Sequence, residues 1–352
     1  MTGMNISTLA TFFQLNDSIR SLQQSLLDGQ KELSTGRKAD LMAALGPQAA
    51  TDVDLRNAYA EATTFKTTAG VVSTRLDAMQ TALTSVKDAI DKARTQTLTA
   101  TSPVARAQLQ QLAKTTIDQI GSLLDTQFDG RYLFSGTQTD MPPLQEQNTV
   151  NASTGLSPLQ AVQQVIANMG AMTDAASALN AANGADGVSS LFDDSNSNAN
   201  LRFTPGLYNG STSGTLTARL DRGYQIDYGL RADDPAIRDA LQGLYMLAAV
   251  PSGSVPDDAY AAWQNEALSH LDNGFQGVIG MASTVGYQQS AVADVMARHD
   301  STLTQLNTQI VNLEQADPYE TAAKLSQFQS QLEATFTVTA RMSQLSLTKF
   351  LT

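Results

Sequence analysis

The chain has 352 residues, of which 42% are hydrophobic and only 16% are charged, against roughly 25% charged in an average soluble domain. Its 34 acidic residues outnumber its 22 basic residues and give a net charge of −12. That balance argues against nucleic acid or an anionic membrane as a partner, because both are bound largely through Lys and Arg. Cysteine is absent and only His270 and His299 represent histidine. Disulfides and Cys nucleophiles are thereby excluded, most zinc and triad chemistry is removed, and we expect no cofactor.

The start of the chain does not have the pattern of a secretory signal peptide. It is apolar, but its first positive charge is Arg20 and no clear small-residue cleavage site follows. No stretch approaches 18 uninterrupted apolar residues, so we expect no membrane-spanning helix.

The first predicted helix carries a narrow apolar stripe with alternating steps of three and four residues. The stripe consists of Phe12, Leu15, Ile19, Leu22, Leu26, Gly29 and Leu33. This spacing is typical of the contact line of a coiled coil. The stripe stops at Thr35-Gly36, and glycine commonly ends a helix.

A longer helix is predicted over residues 48–99, where the same rhythm runs from Phe65 to Ile90 with a single Gly and no Pro. At 1.5 Å per residue it would be roughly 75 Å long. Ser102-Pro103 then predicts the start of another helix, which we expect to run to about Phe128. The short link between the two predicts an antiparallel hairpin.

The middle of the chain, residues 141–254, is richer in Gly, Asn, Ser and Pro. Ser157-Pro158 predicts a helix through Leu179, and Asp234-Pro235 predicts a second one. Alternating apolar residues over 216–220 and 224–228, separated by Asp-Arg-Gly, predict a β-hairpin.

The last part of the chain is again helical. We expect a helix over Tyr260–Ile279, weakened by its glycines, and an apolar stripe over residues 285–313. Pro318 predicts a kink or a helix restart. The final stripe consists of Leu325, Phe328, Leu332, Thr335, Thr339 and Met342.

These elements predict a mainly α fold: a long antiparallel helical bundle or coiled coil built from both chain ends, with a small α+β insert. We divide the chain into a terminal coiled-coil layer (1–40 and 318–352), a long-helix bundle (41–140 and 255–317) and an outward-facing insert (141–254). An amphipathic helix needs a partner for its stripe. The ends therefore either pair with each other and with neighbouring chains, or close a bundle within one chain.

Several strings resemble the bacterial flagellin family. Lys31-Glu32-Leu33-Ser34-Thr35-Gly36-Arg37 is similar to the turn that closes the first helix of flagellins, and Phe128-Asp129-Gly130-Arg131-Tyr132-Leu133-Phe134 to the segment after the second core helix. Pro142-Pro143 and the ending Ala340–Leu347 are most similar to the family branch at the junction between hook and filament.

The resemblance implies a structural subunit of the extracellular flagellum, exported without a cleaved signal peptide. The implied partners are other copies of the chain, a hook-side adaptor and flagellin, and an export chaperone on the C-terminal helix. The implied inner coiled coil would contain Phe12, Leu15, Ile19, Leu22, Leu26, Leu33, Leu325, Phe328, Leu332, Met342, Leu345, Leu347 and Phe350. The implied core or lateral contact segment contains Phe128, Arg131, Tyr132 and Phe134.

Three alternatives bear on function. The chain could be a flagellin that forms the filament, an unrelated cytosolic coiled-coil adaptor, or a carrier of an enzyme in its insert, although the insert has no His or Cys.

His299 could be a metal ligand or pH switch, but no second ligand lies at helical spacing, so we interpret it as a polar residue within the stripe. We interpret His270 as a solvated helix residue, and the acidic run 193–198, which lacks the Gly and Glu of a calcium loop, as a flexible loop.

Overall fold

The computed structural model describes the backbone of residues 3–251 and 253–350, and the side chains of residues 10, 11, 13–251 and 253–341. Within these residues the helices are α1 (Gly3–Thr35), α2 (Leu41–Leu45), α3 (Ala49–Thr99), α4 (Pro103–Leu124), α5 (Pro158–Met169), α6 (Ala175–Asn183), α7 (Val188–Phe192), α8 (Phe203–Gly206), α9 (Pro235–Ala249), α10 (Asp257–Glu314) and α11 (Pro318–Phe350). The strands are β1 (Gln127–Phe128), β2 (Arg131–Tyr132), β3 (Thr217–Asp221) and β4 (Tyr224–Asp227), paired as two antiparallel hairpins. The prediction of a mainly α fold built from long helices at both chain ends is confirmed.

The chain divides into two units. The first holds residues up to Thr63 and from Asp300 onward, and therefore includes α1, α2 and α11. The second holds Thr64–His299, with both hairpins and the shorter helices of the middle region. Both α3 and α10 contribute residues to each unit.

The predicted stripe of α3 forms part of the core of the second unit. Leu76, Leu83, Val86 and Ile90 are completely buried, because steps of three and four residues keep them on one helix face. The hydroxyl of Ser102 accepts a hydrogen bond from the backbone N–H of Ala105 at 3.2 Å, as expected of an N-cap before Pro103.

Helix α4 ends earlier than the sequence predicts. Its last residue is Leu124, with Asp125 as the C-cap, and Phe128 already lies in β1. The prediction that the helix reaches about Phe128 is therefore wrong. The chain reverses at Asp129 and Gly130, whose φ angles of 52° and 70° suit the tight turn that joins β1 to β2.

Helix α10 is continuous from Asp257 to Glu314, so its glycines do not interrupt it. They allow close contact with α9: a Cβ at Gly274 would lie 2.6 Å from the backbone nitrogen of Ala240. Likewise, a Cβ at Gly243 of α9 would lie 2.6 Å from the carbonyl oxygen of Ala267. These glycines are required by helix packing, which outweighs their low helix propensity.

The insert differs from its prediction at one helix. The expected helix from Ser157 to Leu179 is two helices, α5 and α6, because Gly170 adopts φ 91° and ends the first. The predicted hairpin is confirmed as β3 and β4, and Asp234 caps α9 through a 2.9 Å bond from the N–H of Ala236.

Pro318 restarts a helix. The carboxylate of Asp317 accepts the backbone N–H groups of Tyr319 at 2.8 Å and Glu320 at 3.3 Å, which makes Asp317 the N-cap of α11. The peptide N–H that a proline lacks would be unpaired in the first helical turn in any case.

Candidate assembly site

The two terminal helices of the chain, α1 and α11, pack against each other; we call them the terminal pair. Gly29 marks their closest contact, since a Cβ at this position would lie 3.0 Å from Cδ1 of Leu325. The hydroxyl of Thr321 also lies 3.5 Å from a carboxylate oxygen of Glu32. A glycine within the predicted stripe therefore lets the end of α1 approach the start of α11.

The terminal pair buries its predicted stripe only in part. The half-buried stripe residues are Leu15, Ile19, Leu22, Leu26, Leu325, Phe328 and Leu332. Two helices can cover only one side of each other, so apolar side chains remain in solvent on the other sides. Phe13 and Leu27 are each 60% exposed, and Phe336 is 47% exposed.

The predicted contact residues at the two extremities are not all described. Phe12, Met342, Leu345, Leu347 and Phe350 lie outside the residues whose side chains the structure describes. Leu33 is 50% exposed at the end of α1, so it contributes less to the pairing of the two helices than the residues before it.

The segments that follow α1 and precede α11 are hydrogen-bonded to each other; we call residues 36–39 and 314–317 the joint. The N–H of Ala316 donates to the carbonyl of Gly36 at 3.0 Å, and the N–H of Lys38 donates to the carbonyl of Glu314 at 2.8 Å. Gly36 adopts φ 70°, a conformation that favours glycine. These bonds hold the C-terminal end of α1 next to the N-terminal end of α11. They therefore set the register of the terminal pair.

A buried carboxylate lies within the joint. Glu314 is 1% exposed and forms ion pairs with both Arg37 and Arg56. Nε of Arg56 also lies 3.0 Å from the carboxylate of Asp52, which is 5% exposed. The two guanidinium groups therefore neutralise two buried acids, which would otherwise be costly to desolvate.

This charge cluster has no signature in the amino-acid sequence. Arg37 and Glu314 are separated by 277 positions, and an isolated Arg after a helix has no distinguishing pattern. The one local signal is the spacing of four between Asp52 and Arg56, which suits an ion pair along a helix.

The predicted contact segment around Phe128 lies in the second unit and is largely internal. Phe134 is fully buried, Phe128 and Tyr132 are partly buried, and Arg131 is exposed. The guanidinium of Arg75 lies 5.3 Å from the ring centroid of Phe128. Of these residues, Arg131 therefore has the side chain most available to another molecule.

Both histidines have hydrogen-bond partners. Nε2 of His299 donates to the carbonyl of Leu220 at 2.8 Å, and its ring stacks on Phe65 with 5.9 Å between centroids. His270 does not match its prediction as a solvated residue: its side chain is 15% exposed and its Nδ1 lies 2.9 Å from the carboxylate of Asp239. The residue faces α9 rather than water.

The acidic loop at 193–198 is held by hydrogen bonds, which corrects the prediction of a flexible segment. The carboxylate of Asp194 accepts the N–H of Thr204 at 2.7 Å and an N–H of Arg238 at 2.8 Å. Asn196 is 2% exposed and its amide donates to the hydroxyl of Ser190 at 2.7 Å.

Sequence models of bacterial flagellins match both ends of the chain. The model of the flagellin N-terminal helical region matches residues 6–139. The model of the flagellin C-terminal helical region matches residues 268–351. The two regions together hold more than half of the chain. The chain belongs to the bacterial flagellin family. This flagellin-family chain is a structural subunit of the bacterial flagellum.

Solved structures show a similar fold. A protein of Vibrio parahaemolyticus assigned to the flagellar hook-associated proteins is 14% identical to the flagellin-family chain, with a TM-score of 0.53. The alignment covers 77% of this chain and 99% of that structure. FlgL of Bacillus cereus is 14% identical, with a TM-score of 0.49, over 74% of this chain and 99% of its own. None of the curated proteins gives a significant match.

Within the described residues, no helix of the flagellin-family chain combines the length and apolar character needed to cross a membrane. Nor do three or more Asp, Glu, His or Cys side chains of the described part come together as a metal-binding group.

Proposed function

We propose that this chain is the adaptor at the junction between hook and filament, and that it assembles through its N- and C-terminal helices. The observation that carries the proposal is the terminal pair, whose outward apolar residues remain exposed in a single chain. Exposed apolar surface costs about 25 cal/mol per Å² relative to burial. Neighbouring subunits that cover Phe13, Leu27 and Phe336 would recover that free energy.

The proposed assembly has three layers. Segments 1–40 and 318–352 form the inner coiled-coil layer, segments 41–140 and 255–317 form the surrounding bundle, and residues 141–254 face outward. The similarity in fold to the Vibrio parahaemolyticus protein, which is assigned to the hook-associated proteins, supports the junction over other flagellar positions. The proposed partners are a hook-side adaptor on one face and flagellin on the other, and the proposed role is mechanical rather than catalytic.

Before assembly, the exposed apolar residues of α11 need protection from water. We propose that an export chaperone binds this C-terminal helix, where Phe336 and Val338 are each 47% exposed. The chain would then leave the cell through the flagellar export apparatus without a cleaved signal peptide.

The alternative is that the chain is a flagellin which forms the filament itself, since both matching sequence models describe flagellin regions. Gold-labelled antibodies on intact flagella distinguish the two. A single narrow band between hook and filament is expected for the adaptor, whereas label along the whole filament would identify a flagellin.

A deletion strain provides an independent test. Without the adaptor, cells are expected to keep their hooks but release flagellin into the medium, because the filament has no attachment. Hooks that carry normal filaments in this strain would contradict the proposal.

A further inference from the structure

Three asparagines of the chain are followed directly by glycine: Asn183, Asn209 and Asn273. In such a pair the backbone nitrogen of the glycine can attack Cγ of the asparagine side chain, because glycine has no Cβ to obstruct the approach. The reaction requires a glycine N–H that is free to lose its proton and an asparagine side chain that is free to turn. The three pairs are chemically identical in sequence, so their reactivity depends on the fold.

The pair at Asn273 is blocked by helix α10. Gly274 lies in the interior of this helix, where its N–H is part of the helical hydrogen-bond pattern. It also packs closely against α9, since a Cβ at this position would lie 2.6 Å from the backbone nitrogen of Ala240. The N–H of Gly274 therefore becomes available only when α10 opens locally.

The pair at Asn183 is blocked at both reacting groups. The N–H of Gly184 donates to the carbonyl of Asn180 at 2.8 Å, at the end of α6. The side-chain amide of Asn183 donates to the carboxylate of Glu266 at 2.8 Å and accepts the hydroxyl of Ser189 at 2.8 Å. Attack would break the first bond and turn the amide away from the other two partners.

The pair at Asn209 lies in the loop between α8 and β3. Within the described part of the chain, the N–H of Gly210 donates no hydrogen bond. The side-chain amide nitrogen of Asn209 lies 3.4 Å from Oε1 of Gln145, longer than the usual distance of roughly 2.7–3.2 Å. Both residues of the pair are partly exposed, so water reaches them. Both reacting groups are therefore available.

We infer that Asn209 is a site of spontaneous deamidation in the folded protein. The backbone nitrogen of Gly210 forms a bond to Cγ of Asn209, the Cγ–Nδ2 bond breaks, and ammonia leaves with the proton of the Gly210 N–H. Water then opens the resulting succinimide at one of its two carbonyls and gives aspartate or isoaspartate. Each product places a carboxylate where the chain had a neutral amide.

Isoaspartate would also alter the backbone on both sides of the site. The N–H of Asn209 donates to the carbonyl of Pro143 at 2.9 Å, and the N–H of Ser211 donates to the carbonyl of Ser135 at 3.0 Å. Isoaspartate adds one carbon to the main chain between these two N–H groups, so the two bonds lose their present spacing. We expect hydrogen exchange at Ser211 to accelerate about tenfold in the isoaspartate form.

Peptide mapping of the aged full-length protein tests the inference. Trypsin releases residues 203–219 as one peptide, in which Asn209 is the only asparagine and no glutamine occurs. The folded protein is incubated in mildly alkaline buffer made with heavy-oxygen water, which labels only the product that forms during the incubation. We expect labelled aspartate and isoaspartate at Asn209 about tenfold faster than at Asn183, because the bond of the Gly184 N–H must break first. Reaction at Asn273 should be slower still.

Two controls separate the fold from the local sequence. In concentrated urea the three pairs lose their tertiary contacts, so the advantage of Asn209 should disappear. Asn209→Gln keeps a side-chain amide but would have to close a larger ring, so its 203–219 peptide should gain no label. Gly210 is left unchanged, since a Cβ there would lie 2.4 Å from Oη of Tyr208 and distort the loop.

Contrary results have definite meanings. Equal rates at Asn209 and Asn183 in the folded protein would overturn the inference, as would protection of Asn209 by folding to the same extent as Asn273. Label in the 203–219 peptide of Asn209→Gln would show that it does not come from deamidation at this residue. Unchanged exchange at Ser211 in the isoaspartate form would overturn the expected effect on the backbone.

Discussion

Removal of the Glu314 carboxylate should loosen the joint. In Glu314→Ala, Arg37 and Arg56 both lose their common partner. A charge-assisted hydrogen bond contributes about 1.5–3 kcal/mol to stability. Because the two Arg side chains are 53% and 45% exposed, water recovers part of the loss for each. We therefore expect the free energy of opening the joint to fall by about 2–3 kcal/mol in total.

Native-state hydrogen exchange measures this change at two amides. The N–H groups of Lys38 and Ala316 are bonded across the joint and exchange only when it opens. A loss of about 2–3 kcal/mol accelerates their exchange roughly 30- to 150-fold. Glu314→Gln keeps an acceptor but loses the charge, so it should give a smaller acceleration.

The matched control is Glu320→Ala in α11. Glu320 is 63% exposed and its partner Lys324 is 57% exposed, so the pair is a surface ion pair with a typical contribution of at most about 1 kcal/mol. Exchange at Lys38 and Ala316 should not change in this variant. If Glu314→Ala also leaves both rates unchanged, the cluster does not hold the joint.

Three further changes are predicted. Ile19→Asp puts a charge into the half-buried stripe of α1 and should prevent incorporation of the subunit into flagella, while Trp263 fluorescence of the second unit stays as in the wild type. Normal incorporation of this variant would exclude α1 from the assembly interface. Phe134→Ala empties a fully buried site and should cost about 3–5 kcal/mol in denaturant unfolding, whereas a loss below 1 kcal/mol would contradict its place in the core. Asp125→Asn should be more stable than the wild type at pH 7, because the raised pKa of Asp125 marks a cost of ionisation in the folded state. That difference should disappear as the pH falls below 3.8, where the wild-type carboxyl is protonated in both states; a less stable variant at pH 7 would contradict a cost of ionisation that comes first from burial and then from Glu146.

Part of the candidate assembly site could be predicted from the sequence. The stripe of α1 marked residues of the face that packs against α11, except that its last member, Leu33, is exposed. Gly36 follows the end of α1, and Pro318 is the first residue of α11. The outward exposure of Phe13 and Leu27 could not be predicted, because the stripe identifies a buried face without specifying how many helices cover it. His270 was misjudged for a similar reason, since its environment depends on Asp239 of a different helix.

The sequence by itself determined the long helices, several of their N-caps and the mainly α class, because helical hydrogen bonds and apolar periodicity act between residues a few positions apart. It also carried the family strings at 31–37 and 128–134. Only the tertiary structure decided that Glu314 neutralises Arg37 and Arg56, that Gly29 contacts Leu325, and that Asp125 and Gln147 line the same cavity. Those contacts join segments that are distant along the chain. They exist because helices that are distant in sequence pack against each other in the folded chain. No local sequence pattern indicates which helices will pack together.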